Sequence, residues 1–179
     1  LSLTLPDAPW HTHRDRLAAL LAAISVYTAS LGKIALDISL LMQHETGEAS
    51  EPGGGGRGGS STMPHKHNPT ACMLAIAAAR RTPGLLANFL NGMLQEHERA
   101  VGGWQAEWST VEGIVQAAGV ALESMVEVAE GLSVNVERML ANLNAAAGAA
   151  YSERERLQVE DPAYLGCADA FRRRLLGGA

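Results

Sequence analysis

The 179 residues carry a formal net charge of −5, 47% apolar residues and only 4% aromatic residues. That balance argues against a general affinity for nucleic acid or anionic membrane, so any anionic ligand must be drawn by local cations. Two cysteines, Cys72 and Cys167, do not make a disulfide scaffold and fit a reducing, cytoplasmic compartment. No membrane span is predicted, because no apolar run approaches the ~20 residues that one needs. The abundance of Ala and Leu favours helices, since both lose little entropy there.

In chain order, Leu1 to Pro9 reads as extended or turn, with Pro6 and Pro9 blocking helix. From about Thr12 to Met42, Leu17, Leu20, Leu21, Ile24, Leu31, Ile34, Ile38 and Leu41 recur at helical spacing. Ala fills much of the rest, which predicts a helix buried in a bundle or an oligomer. Glu51 to Ser61 is dominated by glycine and predicts a mobile loop over Gly53 to Gly59. Pro69-Thr70 then starts a second helix, with a bend expected near Pro83-Gly84. A third helix is predicted from Thr110 to about Leu132. A fourth follows a cap at Ser133 or Asn135, with Val136, Met139, Leu140 and Leu143 on its inner side. No sustained apolar/polar alternation marks a strand. The expectation is an all-α, long-helix bundle completed by further helices, some from other subunits. Its domain would run over 1–150, with a C-terminal helical remnant over 151–179.

The chemistry-bearing segment is Ser60 to Asn68. A glycine hinge precedes two hydroxyls, then Met63-Pro64 and a lysine between His65 and His67. Glycines let such a segment close on a ligand. Lys66 offers a point charge to a carboxylate and Asn68 a donor to an oxygen. The N–H groups at the start of the following helix would also favour an anion. These are parts for gripping a carboxylate and stabilising charge that develops on it, although the same composition would serve a polar linker. Neither His65-Lys66-His67 nor His11-Thr12-His13 has a third ligand at suitable spacing, so no metal is expected.

The run Gly59-Ser60-Ser61-Thr62-Met63-Pro64-His65-Lys66-His67-Asn68-Pro69 resembles the G-S-S-x-M-P-x-K-x-N-P signature of the fumarase/aspartase superfamily. The resemblance implies a bundle of long helices and a homotetramer whose active sites are each assembled from three subunits. It implies addition or elimination beside a carboxylate through an aci-carboxylate intermediate, with no cofactor. A loop serine would handle the proton on carbon, with Ser60 the first candidate and Ser61 the second. Lys66 and Asn68 would hold substrate carboxylate. Glu45, near the end of the first long helix, would orient a catalytic histidine from elsewhere in the protein.

Within that superfamily, adenylosuccinate lyases carry a Ser-Ser-x-Glu-Arg run that holds a nucleotide phosphate. Here Trp104 and Gln105 stand at the Ser-Ser positions and Trp108 at the arginine, which would cripple phosphate binding. The stretch from His97-Glu98-Arg99 to Glu107-Trp108 is similar instead to the bacterial 3-carboxy-cis,cis-muconate cycloisomerases. So is Asp161 to Phe171, near the end of the chain. The implied substrate is a small tricarboxylate, and the implied product is a lactone. Arg14, Arg16, His97 and Arg99 join Lys66 as candidate carboxylate partners, with structural ion pairs the competing role for the arginines. Trp104 and Trp108 suit packing better than substrate contact. The family is considerably longer than this chain, so a whole active site is not expected in one polypeptide of this length.

Overall fold

The computed structural model describes residues 4–8, 11–53, 58–63, 66–146, 151–160 and 166–177. It divides into one unit over Leu1–Asn135 and a second over Val136–Ala179.

The first unit contains three long helices: α1 (Asp15–Leu41), α2 (Thr70–Asn91) and α3 (Gly103–Gly131). Each packs on both others. Ala35 and Ile38, late in α1, share a cluster with Ala71, Cys72 and Ala75, early in α2, and with Ala121, Met125 and Val128, late in α3. Ala18 and Leu21, early in α1, meet Phe89 late in α2 and Ile114 in α3. The helices therefore run up, down and up. Ala side chains in the first cluster let the backbones approach closely. At Gly32 no Cβ would fit, because the Ala79 methyl already occupies the space.

The apolar length of α1 departs from the sequence expectation. By length and composition alone this helix is long and apolar enough to cross a membrane, a test that the core helix of a bundle also passes. Its charged residues Lys33 and Asp37 pair with each other one turn apart, and its small residues face α2 and α3. Two of the hydroxyls buried along α1 are satisfied within that helix. The Ser25 hydroxyl donates to Leu21 O and that of Thr28 to Ile24 O, each one turn back.

Pro83 lies within α2, which continues through it. Proline has no N–H to give to the carbonyl four residues back, which is Ala79. The buried Thr82 hydroxyl donates to that carbonyl at 3.2 Å instead. Helix α3 begins seven residues before the predicted Thr110. Glu107 is turned inward in this extra length, as is Thr110 just after it, and Gly102, at φ +84°, makes the entry. One short antiparallel ladder also escaped the periodicity argument. Strand β1 (Ala49–Ser50) pairs with β2 (Ser133–Val134), Ala49 opposite Val134 and Ser50 opposite Ser133. Two residues per strand are too few to show alternation.

The second unit contains α4 (Val136–Ala146), α5 (Ser152–Arg156) and α6 (Ala168–Leu175). Helix α4 starts where expected, but its predicted inner side is not covered. It has no buried residue, and Val136, Leu140 and Leu143 are all exposed. In α6, Asp169 pairs with Arg172 and Arg173 along the surface.

Candidate active site

At the end of α1 the chain turns sharply. The N–H groups of Thr46 and Gly47 both donate to Gln43 O, and Gly47 takes φ +60°. Glu48 N–H reaches back to Leu41 O, and the chain enters β1. After β1 comes the glycine-rich segment, whose residues 54–57 lie outside the described residues, as do Pro64 and His65. The mobility expected of Gly53 to Gly59 therefore falls mostly on residues outside the description.

The remainder of the segment is well connected. Gly58 O accepts from the Asn68 backbone N–H at 2.7 Å and from its side-chain amide at 3.1 Å. This closes a ring of the chain around the serines. Ser60 Oγ accepts from the backbone N–H groups of Met63 at 3.1 Å and Thr62 at 3.3 Å. Such donors favour a negative oxygen over a neutral one. Ser61 is exposed and makes no such turn among the described bonds.

An open cavity of about 730 Å³ lies between the end of α1, β1 and the segment. Gln43, His44, Ser50, Met63, Lys66, His67 and Asn68 line it. The structure thus brings Lys66 and Asn68 to one cavity. Ser60 and Ser61 are not in its lining, although Met63, whose N–H is bonded to Ser60, is. Glu45 is exposed in the turn beside His44 and is likewise outside the lining.

The helix start after the segment is not free to receive a ligand anion in the way the sequence suggested. The N–H groups of Ala71 and Cys72 are bonded to the two carboxylate oxygens of Glu51, at 3.0 and 3.1 Å. The chain supplies its own anion to this end of the helix dipole. Burial, and then the Glu51 carboxylate, push the neighbouring Cys72 thiol up to about 12.

The other candidates gather at the opposite end of the bundle. The Arg14 guanidinium forms a double contact with the buried Glu107 carboxylate, including Nε to Oε2 at 3.1 Å. Gln95 Nε2 donates to the same carboxylate at 3.3 Å. Glu107 thus neutralises the cation that the sequence offered to substrate. His11 meets the Trp104 ring edge-on at 4.5 Å, and Trp104 meets Trp108 at 5.1 Å, so the tryptophans pack with each other. His97 takes φ +52°, and its carbonyl accepts from the Thr12 hydroxyl. Arg99 is exposed. Arg16 lines a smaller cavity of about 410 Å³ with His13 and Asp15. Among the described residues no cluster of three or more His, Cys, Asp or Glu is disposed to hold a metal ion.

The length of α1 decides what these two groups can do together. Its 27 residues span about 40 Å. Arg14 and Arg16 stand at its start, whereas Lys66 and Asn68 stand beyond its end. No small carboxylate touches both groups within one chain.

Sequence reasoning missed Glu51 and Glu107. Glu107 is three residues before Thr110 on an inward face, which the helical period would have revealed had the helix been started earlier. Glu51 caps a helix from 20 residues away, a relation with no local pattern.

Comparison with known proteins places these features in context. The family described as Lyase matches residues 1–84. The chain is 48% identical over 153 residues to the 3-carboxy-cis,cis-muconate cycloisomerase of Bradyrhizobium diazoefficiens, covering 86% of the chain and 34% of that relative. It is 42% identical over 146 residues to the nitrosuccinate lyase of Streptomyces davaonensis, covering 82% and 31%. The crystal structure of the 3-carboxy-cis,cis-muconate lactonizing enzyme from Pseudomonas putida superposes with a TM-score of 0.78 at 46% identity, over 88% of the chain and 35% of that protein. The chain spans about a third of the length of the curated relatives it matches.

Proposed function

The chain belongs to the fumarase/aspartase family of lyases, and on that premise we propose that it is part of a cycloisomerase that closes 3-carboxy-cis,cis-muconate to 4-carboxymuconolactone. The observation that carries this reading is the ring closed by Gly58 and Asn68, which presents a serine oxygen held by two N–H groups next to a cavity lined by Lys66 and Asn68.

In the proposed reaction, one substrate carboxylate oxygen forms a bond to a carbon of the conjugated double bond. The displaced electron pair moves onto a second carboxylate as an aci-carboxylate. The carbon beside that group then takes the proton of the Ser60 hydroxyl, and the serine recovers a proton from solvent. The N–H groups of Thr62 and Met63 stabilise the alkoxide in between, and Lys66 and Asn68 hold the carboxylate on which charge grows. Ser61 is the alternative proton donor. Glu45 would orient a histidine from another part of the protein. Arg16, His97 and Arg99, with Arg14 only if Glu107 releases it, would meet the remaining carboxylates.

The roughly 40 Å between the two groups of candidates is bridged if neighbouring subunits present opposite ends to one site. Apolar side chains left uncovered along the bundle, such as Val26, Ile34, Met73 and Val115, suit burial against partner helices. A homotetramer acting in the cytoplasm on a small tricarboxylate follows as part of this proposal.

A fumarate-releasing lyase such as adenylosuccinate lyase uses the same chemistry and is the reading to test against. Incubating the full-length protein with 3-carboxymuconate and with adenylosuccinate separates them. Turnover of adenylosuccinate alone would overturn the proposal.

A further inference from the structure

Helix α2 has no side-chain acceptor at its own N-cap, Pro69. Two of the N–H groups that a first turn leaves unpaired are bonded by Glu51, the residue with which the chain leaves β1. The base from which that carboxylate reaches out is itself braced. Ala49 and Ser50 are laddered to β2. Pro52 covers Gly131 at the end of α3, where an added Cβ would stand 2.6 Å from the proline ring. Glu51 N–H is 3.4 Å from Met42 Sδ, at the end of α1. The reactive segment therefore leaves one fixed element and enters another, and one carboxylate ties the two together.

We propose that Glu51 is a positioning residue: by clamping the first turn of α2 to β1, it sets where Lys66 and Asn68 stand at the cavity. This rests on the reading of residues 58–69 as the reactive segment. A carboxylate serving only as a cap would act as well from the position just before the helix, as most caps do. From position 51 it spans both ends of the segment. Its two oxygens take two different N–H groups, so it fixes direction as well as distance.

The test uses the full-length enzyme. Glu51→Ala removes both bonds, and Glu51→Gln keeps one acceptor oxygen, so the glutamine variant carries the test if the alanine variant fails to fold. Hydrogen exchange is followed at the Met63 and Asn68 amides, with Ile114 and Val128 in α3 as references. Loss of a helix-capping contact should speed exchange at Met63 and Asn68 by roughly 3- to 30-fold, with the references unmoved. Displacement of Lys66 and Asn68 should lower kcat about 10- to 100-fold below the melting temperature, with Glu51→Gln between parent and Glu51→Ala. A folded variant with parental exchange at both amides, or with parental kcat and KM, overturns the proposal and leaves Glu51 a stabilising cap only. If the parent does not turn over 3-carboxymuconate, the functional reading fails, and the exchange result alone decides the role of Glu51.

Discussion

Gly32→Ala tests the packing that supports the site, because two effects of opposite sign compete there. In an unobstructed helix, replacing Gly by Ala stabilises by about 1 kcal/mol. Here the new methyl would meet the Ala79 methyl of α2, roughly 1 Å inside ordinary carbon contact. Neither methyl has a rotamer to swing into, so the helices themselves must separate. Ala35 and Ala75, both fully buried, would lose contact as they did. Overpacking of this kind costs about 1–3 kcal/mol, and the rigidity of both partners argues for the upper end. Subtracting the propensity gain leaves a net loss of about 2 kcal/mol. Urea unfolding should show a lower midpoint with unchanged slope. Adding Ala79→Gly, which alone costs about 1 kcal/mol of helix propensity, should remove the clash and restore most of the loss, a coupling of about 3 kcal/mol in the double-mutant cycle. A stabilised Gly32→Ala protein would refute the close approach of α1 and α2.

Other outcomes follow from the sites at either end. In the full-length protein, Lys66→Met should raise KM and lower kcat together, cutting kcat/KM by about 100-fold, since in the proposed reaction the lost charge faces a carboxylate that gains charge in the transition state. Unchanged steady-state kinetics would remove Lys66 from the site. Glu107→Gln should destabilise the chain by about 3 kcal/mol, because it strips the nearly buried Arg14 of its counter-charge; thermal melting measures this. Cys72 should resist iodoacetamide at pH 8 while the exposed Cys167 reacts. Its folded thiol lies above the unfolded value of 9.0, so the folded state holds that proton longer. Stability from this group is complete below about pH 9 and falls as pH rises toward 12. Alkaline unfolding of Cys72→Ala should lack that contribution.

Much of this architecture could be read in advance from local pattern. The helical period from Leu17 to Leu41 gave the first helix within a few residues, and Pro69-Thr70 marked the start of the second. What escaped was long-range. The β1–β2 ladder joins residues more than 80 positions apart, and no alternation can appear in two-residue strands. Helix α2 runs on through Pro83, where the Thr82 hydroxyl supplies the Ala79 carbonyl with a replacement donor. The anion site expected at the start of α2 overlooked Glu51, which reaches it from 20 residues away. A sequence shows that a carboxylate exists but not which distant N–H groups it will reach. Lys66 and Asn68 stand in a contiguous signature, and both line the same cavity. Arg14 was legible as a cation, but its pairing with Glu107 depends on how α1 and α3 pack.

The long first helix, with one set of candidate groups before it and another beyond it, has a genetic corollary. If neighbouring subunits share each site, two proteins crippled at opposite ends of that helix are not equivalent losses. Co-assembled from a mixture, Lys66→Met and His97→Ala chains would build some sites entirely from undamaged ends, and activity would rise above that of either variant alone. Mixed chains no more active than the separate variants would place both groups in the service of separate tasks.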